Sequence, residues 1–110
     1  MRADEGGKSA YIWAMPETTL IDRLLALKPE LERRGVASLY LFGSQLRGEG
    51  SPDSDIDLYF DRRGRMSLLD VIGIRQFLEE ELQARVDLMT RDSLSPLLRA
   101  DIEAESIPVF

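Results

Sequence analysis

A chain of 110 residues, 44% hydrophobic and 31% charged, suits one domain with a modest core, so a large substrate must be held partly by something else. It contains no cysteine and no histidine, which excludes disulfides, thiolate or imidazole metal sites, and His-dependent triads. The net charge of −6, from 14 basic and 20 acidic residues, disfavours a long nucleic acid as partner.

Residues 1–16 mix charges, two glycines and a small aromatic group without periodicity, and read as a flexible leader ahead of one domain over residues 17–110. Helical spacing begins at Glu17 and runs through Leu20, Ile21, Leu24, Leu25 and Leu27, with Thr18 or Thr19 as cap. Pro29 breaks or restarts that helix, and a second short one runs to Arg34 and stops at Gly35. The apolar and aromatic run Val36–Phe42 predicts a strand, and the turn-forming stretch GSQLRGEGSPDS follows it. A second strand is predicted over residues 55–60, a helix over 67–82, and a third strand over 85–90. That helix is read from Leu68, Leu69, Ile72, Phe77, Leu78 and Leu82. A weaker helix over 93–104 and a last edge strand over 107–110 complete an α/β layer arrangement. No apolar run reaches membrane-spanning length and no signal peptide is visible, so the cytoplasm is the expected compartment.

Three features of this layout bear on chemistry. Gly43-Ser44 closes the first strand. Glycine admits torsions closed to other residues, and a helical turn after Ser44 would offer N–H groups to a phosphate; a plain turn is the other reading. Asp55 and Asp57 flank Ile56, so strand alternation puts both carboxylates on one face, with Ile56 and Leu58 on the other. Paired carboxylates repel, and a divalent cation removes that penalty; a turn cap and an exposed edge residue are the plainer account. Asp87 lies between Val86 and Leu88. If its strand neighbours the second one, a third carboxylate joins the pair; alone it reads as a solvated edge residue. With no histidine or cysteine, a metal here takes oxygen ligands, as Mg²⁺, Mn²⁺ and Ca²⁺ do.

Taken in order, Gly43-Ser44-Gln45-Leu46-Arg47-Gly48, then Ser54-Asp55-Ile56-Asp57-Leu58, then Val86-Asp87-Leu88 resemble the motifs of the DNA polymerase beta-like nucleotidyltransferase superfamily. The likeness is closest to its minimal, antitoxin-type branch and covers roughly residues 17–110. Leu46 departs from the pattern, standing where the family has a small residue beside the phosphate loop. The resemblance implies a small mixed β-sheet with helices packed on it. It also implies Asp55 and Asp57 as ligands of two Mg²⁺ ions, or of Mn²⁺, on a bound ATP. Gly43 and Ser44 would grip the terminal phosphates. Asp87 would bind the metal nearer the acceptor and act as general base. Arg47 is a phosphate or partner contact, or a solvated loop arginine. The implied activity is transfer of AMP to a hydroxyl, with a tyrosine of a HEPN-domain toxin as leading acceptor and the chain as antitoxin. A non-catalytic module that occludes such a toxin is the alternative, and transfer to a small antibiotic is a weaker one, since no second domain encloses it.

Overall fold

The structure is a computed structural model that describes residues 17–43 and 55–110, with side chains from Thr19 onward. The leader, Ser44 and Arg47 lie outside the described residues.

The chain enters as helix α1 (Glu17–Ala26) and turns at once into α2 (Lys28–Arg33), which carries Pro29 in its first turn. Proline lacks the N–H that a helix start leaves unused, so it restarts the helix rather than ending the structure. Gly35, at φ +104°, ends α2 and feeds strand β1 (Val36–Phe42). Strand β2 (Ile56–Arg62) runs antiparallel to β1 in a register that pairs Leu41 with Leu58 and Phe42 with Asp57.

Helix α3 (Leu68–Leu82) then crosses over to strand β3 (Val86–Thr90), which lies parallel to β2. Ser67 caps α3 in a reciprocal box with Asp70, satisfying two backbone donors at once. The chain ends through a 3₁₀ turn (Arg91–Ser93), helix α4 (Arg99–Glu105) and strand β4 (Ile107–Pro108). The sheet order is β3-β2-β1-β4, mixed in direction, as the family likeness implies.

One face of the sheet carries the main core. Leu39 and Leu41 of β1, Ile56, Leu58 and Phe60 of β2, and Val86 and Leu88 of β3 are all buried. Leu20, Leu24, Leu31, Ile74, Leu78 and Leu82 from α1, α2 and α3 join that cluster. Each fully buried leucine contributes about 1.5–3 kcal/mol by leaving water, so this face decides which way every β2 and β3 side chain points. The alternate residues, Asp57 and Asp87 among them, are driven to the other side.

Two details qualify the sequence reading. Leu68 and Leu69, two of the residues from which the helical spacing of α3 is read, are 75% and 78% exposed. They sit in its first turn, and the core contact runs instead along Ile74, Leu78 and Leu82 at i, i+4 spacing. The predicted helix over 93–104 is also shorter. Pro96 cannot donate in a helix interior and biases Ser95 away from helical torsions, so the helix waits until Arg99. At the C-terminus the edge pairing extends beyond β4, because Val109 N–H donates to Leu39 O (2.7 Å) and Leu39 N–H to Phe110 O (3.1 Å).

Candidate functional site

Strand register places the acids. Asp57 and Asp87 are direct partners across the parallel β2–β3 ladder, and their neighbours Ile56, Leu58, Val86 and Leu88 are buried on the reverse face. Adjacent strands lie about 4.8 Å apart, so the two acids are neighbours on the sheet. The Asp57 carboxylate leans toward β1, where it fills the space beside the Gly43 Cα. Asp55, two residues earlier, turns the other way and meets Arg85 (Oδ1 to Nε 3.2 Å).

The start of β3 is held from two sides. Ile56 N–H donates to Arg85 O (2.9 Å), and Val86 N–H donates to the Glu79 carboxylate of α3 (2.9 Å). A charged side chain thus receives the backbone donor one residue before Asp87, which fixes that residue's height on the sheet. Gly43 has φ +87°, and a Cβ there would lie 2.8 Å from Asp57 Cγ. The glycine at the end of β1 is therefore demanded by the aspartate of β2.

The structure brings Asp57 and Asp87 into register and puts Asp57 against Gly43, with Asp55 drawn off by Arg85. Among the described residues, no three or more Asp, Glu, His or Cys side chains are gathered closely enough to hold a metal ion. The donor chemistry still suits a hard divalent cation, since the acids offer carboxylate oxygens only.

Further along the same face, Tyr59 stacks on Tyr40 (centroids 4.8 Å apart, planes 12° apart) and touches Phe42 at 5.6 Å. Tyr59 is buried, and its hydroxyl shares a 2.7 Å hydrogen bond with Ser106 below α4. Arg91 covers both tyrosine rings at 4.7 and 5.2 Å. Its guanidinium donates to Asp61 (2.7 and 3.1 Å) and to Glu103 (2.8 Å). These partners hold Arg91 above its usual range, and Arg91, followed by Arg99, holds the Glu103 carboxyl below the ordinary one. A groove of about 770 Å³, lined by Arg62, Ser67, Thr90 and Asp92, lies at the far end of the ladder, away from the acids.

Sequence reasoning missed Arg85, Glu79 and Arg91. Arg85 was visible as the residue before Val-Asp-Leu, two positions from Asp87 and so on its face. Glu79 and Arg91 gave no signal, because their partners are seven to thirty residues away.

The family described as "Nucleotidyltransferase domain" matches residues 24–109. Protein adenylyltransferase MntA of Thermococcus cleftensis is 46% identical over 72 residues, which is 64% of this chain and 73% of that protein. A minimal nucleotidyltransferase of solved structure superposes with a TM-score of 0.75 at 36% identity, covering 86% of this chain and 97% of its own. A chain from the complex of a tri-AMPylated Shewanella oneidensis HEPN toxin with its MNT antitoxin shares the fold, with a TM-score of 0.63 at 21% identity. That match covers 87% of this chain and 72% of the other.

Proposed function

Since the chain belongs to the nucleotidyltransferase domain family, we propose that it transfers AMP from ATP to a hydroxyl of a protein, most specifically a tyrosine of a HEPN-type toxin, and acts as that toxin's antitoxin. One observation carries the reading. Asp57 and Asp87 stand side by side on the open face of β2 and β3, at the end of the sheet where β1 finishes in Gly43. Two carboxylates in register, with apolar neighbours buried on the reverse face, offer the oxygen donors that a hard divalent cation takes. The adenylyltransferase relative, at 46% identity, supports a protein acceptor over a small molecule.

In this reading Asp55 and Asp57 would hold the two Mg²⁺ ions, for which Mn²⁺ would substitute, with Asp87 as a further ligand, and the metal would supply positive charge to the reacting phosphate. Gly43 and Ser44 receive the outer phosphates, and Arg47 serves as a phosphate or partner contact. The acceptor oxygen forms a bond to the α-phosphorus while the bond to the bridging oxygen breaks. Pyrophosphate leaves, and Asp87 takes the hydroxyl proton.

The test is intact-mass analysis of the chain with a cognate HEPN protein, ATP and Mg²⁺. The expected product is the partner carrying AMP, with none formed by Asp57→Asn. If the Asp55→Asn/Asp57→Asn double variant neutralises the toxin as well as the native chain does, occlusion replaces transfer as its mode of action.

A further inference from the structure

Two lateral pairs stand at the start of the β2–β3 ladder. The first sets Asp57 against Asp87. One alternation earlier, the hydrogen bond from Ile56 N–H to Arg85 O brings Arg85 beside Asp55, and their side chains meet at 3.2 Å. Side chains two apart on a strand share a face, so Arg85 belongs to the same corner as the acids. This end of the ladder thus carries Asp57 and Asp87 in register, with Asp55 drawn off by the guanidinium of Arg85.

We propose that Arg85 is a displaceable counter-ion of this site, which holds Asp55 aside in the cation-free protein and gives it up when a divalent metal binds. The inference rests on the metal-dependent reading above and adds a residue that sets how much metal is needed to assemble the site. Two features make Arg85 suited to this. Its ion pair is open to water, with side chains 67% and 45% exposed, so the pair biases Asp55 without locking it. A dication carries twice the charge into the same corner, and it draws on Asp57 and Asp87 as well.

The guanidinium is not what sets the strand register. The first residues of β3 are placed by the Ile56–Arg85 backbone bond and by Glu79 on Val86 N–H, neither of which involves the Arg85 side chain. Losing that side chain leaves both of these bonds in place.

The experiment is Mn²⁺ titration of the full chain without nucleotide, read by the loss of the free-ion electron paramagnetic resonance signal. Arg85→Gln should bind Mn²⁺ roughly three- to tenfold more tightly than the native chain, and Arg85→Lys should fall between them. Double substitution isolates the cause: once Asp55→Asn has removed the partner, adding Arg85→Gln should bring little further tightening. Equal or weaker binding by folded Arg85→Gln would overturn the proposal, and so would full tightening in the Asp55→Asn background. Should Arg85→Gln fail to fold, Arg85→Lys decides by the same comparison. A native chain that binds no Mn²⁺ at all would instead overturn the metal-dependent reading itself.

Discussion

The Asp57 carboxylate occupies the volume that a Cβ on Gly43 would need, with Cγ 2.8 Å from that position. Gly43 and Gly64 both hold positive φ, +87° and +78°, but nothing lies within 4 Å of a Cβ at Gly64. Alanine at either position costs about 1–2 kcal/mol of backbone strain, and only at Gly43 does it also push an acid away. Gly64→Ala should therefore lower the melting temperature and leave turnover per folded molecule unchanged. Gly43→Ala should lose nucleotidyl transfer by about 10²-fold or more, the scale of removing a group that meets transition-state charge. Transfer assays normalised to folded protein by circular dichroism separate the two.

Asp87 supplies the complementary test, because it is exposed and stands in register with Asp57. Asp87→Asn should stop transfer by about 10²-fold or more. Without metal, its melting temperature should equal or exceed that of the native chain. With Mg²⁺ and ATP the native chain should gain more thermal stability than the variant, through linkage. A variant that melts lower than native without metal would show that Asp87 stabilises the fold.

Much of this site was legible in the sequence because its parts are local. Alternation about Ile56 and about Val86 and Leu88 dictates the face of Asp55, Asp57 and Asp87, and burial of those apolar residues enforces it. The pairing of β2 with β3 stays conditional in the sequence; the structure makes it parallel, as the intervening helix allows. The direction in which each carboxylate leans did not follow. Asp57 turns to Gly43 and Asp55 to Arg85 because of charge and space across strands, which no spacing rule encodes. Leu68 and Leu69 are exposed for a related reason: periodicity finds an apolar face, but tertiary packing decides which turns of α3 are covered.

Arg91 ties the second face together by stacking on Tyr40 and Tyr59 while pairing with Asp61 and Glu103. Arg91→Met keeps the bulk, abolishes the charge, and leaves two partly buried carboxylates without their shared partner. We expect a loss of about 2 kcal/mol, which is on the order of 10 °C in melting temperature for a domain this size. Arg91→Lys should recover less than half, because an ammonium can neither fork between two carboxylates nor lie flat on the rings. Full recovery by lysine would reduce the contribution of Arg91 to net charge alone.

Glu103 gives that network a pH dependence whose sign is set by its partners. Arg91, and after it Arg99, favour the ionised carboxylate and hold it below its ordinary value of 4.5. A depressed folded value means that the contribution is complete above the unfolded carboxylate range. It is lost as the pH falls through the lower folded value, because protonation removes the acceptor that both arginines use. Chemical denaturation from about pH 6 to about pH 3 should show the native chain losing stability through this window. Glu103→Gln should start lower at neutral pH and decline less, so that the two curves converge in acid. Parallel curves over the whole range would mean that Glu103 titrates alike in the folded and unfolded chain, and that Arg91 and Arg99 do nothing for it in solution.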